Sequence, residues 1–354
     1  MASYILRRLL LMIPTLFGVM AVTFLVIQFV PGGPVERMVS LLEKGHSASG
    51  GEVASGSHGA TGNYRGGAGL DPGQIEHLRR LYGFDRPPVE RFVSMMWNYL
   101  RFDFGESYYH HRSVVDLVLE KLPVSISLGV WTFLLTYLIS VPLGIRKAIH
   151  HRSRFDSWTS TLILTGYSIP GFVLGILLIV LFGGGSFWNL FPMRGLVSDH
   201  WQELSLTGKV LDYLWHMVLP ITASVVGSFA VMTLLTKNSF LEEISRQYVL
   251  TARAKGLGEH AVLYRHVFRN AMIPLVTGFP GSFVAAFFSG SLLIETIFSL
   301  DGLGLLGYES VINRDYPVVM ASLYFFTLLG LLTKLLTDII YVLIDPRITF
   351  DKAR

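Results

Sequence analysis

The chain has 354 residues, 51% of them hydrophobic and 15% charged, against about 25% charged in an average soluble domain. That apolar excess is more than a water-soluble core absorbs and asks for lipid as solvent. The net charge of +4 is too small to argue for nucleic acid. The absence of cysteine excludes disulfides, thiolate metal sites and cysteine nucleophiles.

Arg7-Arg8 precede residues 9–30, which carry no charge over 22 positions. About 20 apolar residues cross a bilayer. A cleaved signal peptide has a shorter apolar core, about 7 to 15 residues, and a small-residue cleavage site. Residues 1–30 therefore read as an N-terminal tail and an uncleaved first transmembrane helix, with the arginine pair as an inner anchor. Pro31-Gly32-Gly33-Pro34 ends it. Residues 45–69 hold nine glycines and few large apolar side chains, so this stretch reads as a flexible insert. Gly45-His46-Ser47-Ala48-Ser49 is one residue short of a nucleophile elbow and lacks the flanking strand and helix.

Order returns at Leu70. Ile75, Leu78 and Tyr82 suggest a short amphipathic helix. Pro87-Pro88 opens a second, with Val89, Phe92, Met95, Met96 and Tyr99 on one side. Together they predict a small external helical domain within residues 31–123. His110-His111 are adjacent, so on a regular element they point apart and do not share a metal.

Five further spans follow: 124–145, 158–182, 213–235, 272–294 and 317–344. Residues 345–354 form a tail. The third span is broken by Ser168-Ile169-Pro170-Gly171, and the fifth by Pro280-Gly281. Broken helices are tolerated where backbone lines a cavity or packs on protein. Phe279, Pro280, Ser282, Phe283, Ser289 and Glu295 of the fifth segment, with Tyr167 and Ser168 of the third, are the pore-lining candidates. Plain helix packing is the alternative for these glycines and prolines. Dense Lys/Arg after spans two and four, on the side of Arg7, Arg8 and Arg347, places both termini in the cytoplasm.

Two charged groups lie at or near spans. Lys334 and Asp338 stand at i, i+4 on one face. Lys334 lies about 26 Å from Pro317 at 1.5 Å per residue, near the inner boundary where it snorkels; a proton or ion relay is the alternative reading of the two charges. Glu295 ends the fifth span, and it either anchors the bend into Ser299-Leu300-Asp301-Gly302-Leu303-Gly304 or takes part in gating.

The fourth and fifth spans are joined by a cytoplasmic loop, 237–270. Lys237, Arg246, Arg253, Lys255, Arg265 and Arg269 make it basic. Leu241, Ile244, Tyr248 and Ala252 fall at helical spacing, so a helix is predicted to run into Gly256, a left-handed C-terminal cap. Residues 259–268 form a second helix. Small side chains between cations leave room for a partner's backbone. A nucleotide site is missing: the only Gly-Lys, Gly208-Lys209, is followed by Val210. No enzyme signature is present, so catalytic and metal residues are expected to be none.

This loop resembles the EAA loop of ABC importer permeases. Thr251, Ala252 and Gly256 fall on that pattern. Leu250 replaces its Glu, and His266, Phe268 and Arg269 depart from its Ile-x-Leu-Pro. The oligopeptide/dipeptide branch is matched more fully, through Thr251-Ala252-Arg253-Ala254-Lys255-Gly256-Leu257, Arg265-His266, Arg269-Asn270-Ala271 and Ile273-Pro274. Tyr82-Gly83-Phe84-Asp85-Arg86-Pro87, Asp103-Phe104-Gly105, Asn313-Arg314-Asp315-Tyr316-Pro317 and Asp345-Pro346-Arg347 resemble signatures of the first permease of that family. The insert and residues 185–198 are similar to the Yej-type microcin C and peptide branch.

The resemblance implies an all-α integral membrane protein of the bacterial inner membrane, with six spans in the type I ABC importer permease fold. It implies ATPase coupling through Tyr248, Thr251, Ala252, Arg253, Ala254, Lys255, Gly256, Leu257 and Arg265. The implied partners are a second homologous permease, two ABC ATPase subunits or domains, a periplasmic peptide-binding protein and the lipid bilayer. No cofactor is expected on this chain, since ATP and Mg would be bound by the ATPase. Cargo stays open between peptides, peptide conjugates and nickel. A secondary transporter driven by an ion gradient is the rival class, and it would need mid-membrane carboxylates and internal repeats that are not evident here.

Overall fold

The computed structural model describes residues 2–29, 85–184, 187–288 and 292–344. The glycine-rich insert, the helix expected around Ile75 to Tyr82, Ser289 and the C-terminal tail lie outside these residues. Two isolated bridges, Glu106 with Ser113 and Gly183 with Asn189, are the only β pairing among the described residues; the rest of the regular structure is helical.

Helix α1 is Ala2–Phe29, α2 is Pro88–Tyr99 and α3 is Val114–Ile149. A bent pair follows, α4 Arg154–Tyr167 and α5 Gly171–Phe182. The long α6 is Leu206–Ile244, and α7 is Gln247–Ala254. Next come α8 Glu259–Ala261, a π-turn over Val262–Val267 and α9 Phe268–Ala271. The chain continues through α10 Ile273–Phe288, α11 Leu292–Ile297, α12 Leu303–Asn313 and α13 Tyr316–Ile344.

Among the described residues, four helices are long and apolar enough to cross a membrane: Tyr4–Phe29, Val114–Ile149, Leu206–Ile244 and Tyr316–Ile340. The α4–α5 pair meets the same test together but bends by 92°. The bend falls at Ser168-Ile169-Pro170, where the proline disfavours helical backbone in the residue before it. Pro170 itself caps α5 with φ −56° and ψ 136°.

Several helices outrun the expected spans. The fourth span, expected over 213–235, is the apolar middle of a 39-residue helix. Ser205 starts that helix by accepting the Gly208 N–H at 3.2 Å. Its C-terminal end runs on past Lys237, because that cation has a buried partner inside the protein. The helix that holds the second expected span, 124–145, begins at Val114. Hydropathy marks only the apolar part of such helices, so their polar ends escape it.

The chain divides into two compact units. The first comprises residues 1–12, 119–306 and 328–354. One of its cores joins Leu128, Met217, Leu219, Ile294, Phe298 and Leu300. A second joins Ile145, Phe240, Val249, Ala252, Val262, Val267 and Ala271 beneath the basic loop. Near its start, Asp338 accepts from Arg8 Nη2 at 2.9 Å and from Tyr4 Oη at 2.8 Å. The expected i, i+4 face of Lys334 and Asp338 is therefore not a pair. A guanidinium from the first helix has taken the carboxylate, and Lys334 is exposed.

The second unit comprises residues 13–118 and 307–327. Phe104 stacks among Tyr99, Tyr324 and Phe325, at centroid distances of 4.8, 5.5 and 4.5 Å. Asp315 is buried and accepts from Ser107 Oγ at 2.5 Å and the Tyr108 N–H at 3.0 Å. Two motifs read from the sequence, around Asp103 and Asn313, thus meet in one packed unit.

Candidate coupling loop and translocation cleft

The basic loop departs from the single helix expected to run from Leu241 into Gly256. The chain breaks at Ser245-Arg246, where Arg246 is extended with φ −69° and ψ 149°. The Ser245 hydroxyl donates back to Glu242 O at 2.7 Å, and Arg246 Nη2 reaches the Glu242 carboxylate at 2.5 Å. These local bonds compete with continued helix.

Helix α7 then closes in a Schellman motif. Leu257 N–H donates to Ala252 O at 3.3 Å, Gly256 N–H donates to Arg253 O at 2.9 Å, and Gly256 has φ +82°. Arg253 fastens the far side of the turn with two bonds to Glu259, at 2.8 and 2.9 Å. The return segment, expected as one helix over 259–268, contains the π-turn. Its five-residue spacing turns both Val262 and Val267 into the core.

Each coupling candidate has a distinct position. Ala252 is buried against the loop's own core, so it is not open to a partner as the small-residue pattern suggested. Thr251, Arg253, Ala254, Lys255, Gly256 and Arg265 are exposed, beside an exposed Leu250. Leu257 is half-buried. Tyr248 is half-buried as well, donating to Glu243 Oε2 at 2.6 Å and accepting from Asn270 Nδ2 at 3.1 Å. Burial raises its phenol pKa, and the Glu243 carboxylate pushes the same way.

Above this loop lies a charge cluster that the sequence reading took for ordinary inner-face cations. Lys147 is fully buried. Its Nζ donates to Asp156 O at 2.9 Å, Thr159 Oγ1 at 2.7 Å and Ser160 Oγ at 2.8 Å, and lies 3.1 Å from Asp156 Oδ1. Lys237 joins the same carboxylate from α6. The available signal was Asp156 itself, an acid among four basic residues after span two.

A cleft of about 810 Å³ opens in the first unit. Its walls come from α3 (Ser125, Thr136, Tyr137), the start of α5 (Gly171, Phe172), α6 (Ser224, Gly227, Ser228) and the α10–α11 segment. Of the pore candidates, Ser282 and Glu295 line it. Phe279 and Phe283 pack edge-to-face beside it on Phe133, at ring-centroid distances of 4.9 and 5.4 Å. Pro280 is buried, and Tyr167 and Ser168 are exposed away from its lining. Sequence reasoning missed α3 and α6 because neither carries a Gly-Pro break there; their signal was small and hydroxyl residues at helical spacing.

Glu295 is fully buried and accepts the Leu305 N–H at 2.7 Å, while Ser125 Oγ accepts the Leu303 N–H at 2.8 Å. Two side chains from other helices thus satisfy the first amides of α12. Among the described residues, no group of three or more His, Asp or Glu side chains is placed to hold a metal.

Residues 140–350 match the family described as the inner membrane component of binding-protein-dependent transport systems. The chain belongs to this family. It is a multi-pass permease component of the bacterial inner membrane, not an enzyme. It is 57% identical over 361 residues to the peptidoglycan transport system permease protein YejB of Agrobacterium fabrum, covering 99% of both chains. It is 52% identical over 362 residues to the inner membrane ABC transporter permease protein YejB of Escherichia coli O157:H7, covering 99% of this chain and 100% of that one. The dipeptide transport system permease protein DppB of Escherichia coli K12 is 32% identical over 373 residues, with 99% and 100% covered.

Proposed function

We propose that this permease is one of two homologous membrane subunits of an ABC importer for peptides or peptide conjugates of the microcin C kind. Relatives named for peptide and peptidoglycan transport support that cargo class. A periplasmic binding protein delivers the solute, and separate ATPase subunits bind ATP and Mg and supply the energy. The six spans are α1, α3, the bent α4–α5 pair, α6, α10 with α11, and α13. Both termini face the cytoplasm, and residues 31–123 lie on the outer side.

The observation that carries this reading is the two-sided α7. Val249 and Ala252 seat it in the chain's own core, while Leu250, Thr251, Ala254 and Lys255 face outward. A helix held this way acts as a lever: force on its outer side reaches α6 through the packed inner one. The cleft then supplies one wall of the passage, with Ser282 and Glu295 on it.

The chain has no cysteine, so Thr251→Cys and Ala254→Cys each introduce a unique thiol. Both are expected to cross-link to the ATPase subunit in inner-membrane vesicles, with a yield that changes when ATP is hydrolysed. Labelling of these thiols from the periplasmic side by an impermeant reagent would refute the assignment.

A further inference from the structure

Helix α2 is expected from the sequence to belong to a small external helical domain, with Val89, Phe92, Met95, Met96 and Tyr99 on one side. The structure divides its apolar residues into two sides. Phe92, Met95 and Tyr99 turn inward, and the Phe92 ring sits 5.4 Å from Phe17 and 5.2 Å from Phe24 of α1. Val89, Val93, Trp97 and Leu100, at i, i+4, i+8 and i+11, are 75, 61, 56 and 61% exposed. Glu90, Ser94, Asn98 and Arg101 occupy the remaining side. The apolar surface is therefore continuous around more than half of the helix, and protein covers only part of it.

The depth of α2 follows from its contacts. Arg91 Nη2 donates to Gln28 Oε1 at 2.8 Å, near the C-terminal end of α1. Phe92 lies between Phe17 and Phe24, so it is level with the middle of that interval. At 1.5 Å per residue this is about 12 Å inward from the end of α1. Half of the hydrocarbon layer is about 15 Å thick. Because α1 is itself a membrane span, the inner side of α2 lies at acyl-chain depth rather than in water. The exposed stripe continues the bare apolar surface of α1, where Leu25, Val26 and Phe29 are also exposed.

We propose that α2 is an interfacial helix bound to lipid, with Val89, Val93, Trp97 and Leu100 in the acyl chains and its polar side toward the headgroups. The composition fits this role: a helix with one broad apolar side, a tryptophan and a flanking cation lies in the membrane plane. The Arg101 guanidinium stacks 4.6 Å over the Trp97 ring, leaving its donors for lipid phosphate. This anchors the segment after the insert to the bilayer beside α1. It rests on α1 crossing the membrane and not on the cargo or the ATPase assignment.

The test uses the full chain with its co-purifying partners in lipid nanodiscs. Val93→Cys and Trp97→Cys, with Glu90→Cys and Asn98→Cys as comparison sites, each carry one nitroxide. Collision rates are measured with oxygen, which partitions into lipid, and with a water-soluble nickel chelate. The oxygen-to-nickel ratio is expected to be several-fold higher at 93 and 97 than at 90 and 98. Nickel preference at all four sites would place α2 in water and overturn the proposal. Exclusion of both reagents at 93 and 97 would show a protein partner covering the stripe, and would overturn it equally. Val89→Cys reads the same stripe should either variant fail to assemble.

Discussion

Lys237 Nζ stands 2.7 and 2.8 Å from the two carboxylate oxygens of Asp156, 81 residues away in sequence. Lys147 reaches the same carboxylate from α3. Three helices are fastened by one acid immediately before α6 leads into the basic loop. Two cations around a single anion are tolerated out of water here because Lys147 has further oxygen acceptors on Asp156 O, Thr159 and Ser160.

Replacing Asp156 by Asn leaves both ammoniums without their shared anion, although Lys147 keeps its bonds to Asp156 O, Thr159 and Ser160. Removing one partner of a buried ion pair costs about 3–5 kcal/mol, so Asp156→Asn is expected to lower the unfolding temperature of the purified permease sharply. Lys147→Met leaves Asp156 paired with Lys237 and should cost clearly less. Equal losses in the two variants, read by thermal unfolding in one detergent, would contradict this asymmetry.

The left-handed turn at Gly256 gives a different signature. A Cβ there meets no atom within 4 Å, so the obstacle to substitution is backbone conformation alone. A left-handed residue other than glycine costs about 1–2 kcal/mol, and Asn tolerates that region best. Gly256→Val is expected to insert and fold normally but to lose transport, whereas Gly256→Asn retains most of it. Uptake assays with membrane quantities matched by immunoblot check both, and wild-type uptake by the valine variant would remove the lever from the account.

Glu295 and Gly302 are tied together by packing. A Cβ at Gly302 would fall 2.6 Å from the Glu295 carboxylate, forcing it off the Leu305 N–H. Loss of a helix cap costs about 0.5–2 kcal/mol. Gly302→Ala and Glu295→Ala should therefore destabilise by similar amounts, and Glu295→Gln, which keeps an acceptor, by less. A Glu295→Gln variant that is stable yet inactive in transport would instead favour the gating role for this carboxylate.

Tyr248 links the end of α6 to the return segment through Glu243 and Asn270. Its raised pKa keeps the phenol protonated throughout the physiological range, and any stabilisation from the neutral form is lost only as pH rises past its ordinary value of about 10. Tyr248→Phe removes hydrogen bonds worth about 1 kcal/mol. It is expected to slow uptake by the same factor at pH 6 and pH 8.5. A defect that vanishes at the higher pH would mean the phenol ionises within that range.

The basic loop was legible because its turn needs a particular residue: Gly256 at a left-handed position after a helical run, with cations around it. The bend in the third segment was legible for the same reason, since Pro170 interrupts an apolar run; the break expected at Pro280-Gly281 is not there, because α10 runs unbroken through Pro280. What stayed hidden depends on partners distant in sequence. Asp338 looks matched to Lys334 four residues away, yet Arg8 holds it. Lys147 and Lys237 read as surface charge until Asp156 is seen between them. Ala252 reads as a small outward residue, but helical phase turns it toward Phe240. Walls of the cleft on α3 and α6 escape notice because an unbroken apolar helix gives no local sign of which side faces a cavity.

The most direct measurement is peptide uptake into proteoliposomes that hold this chain with its second permease, ATPase subunits and binding protein. Accumulation against a gradient is expected only with ATP, and is expected to stop with a non-hydrolysable analogue or when the ATPase subunits are left out. Uphill uptake by this chain alone, or uptake driven by an ion gradient without ATP, would contradict the account.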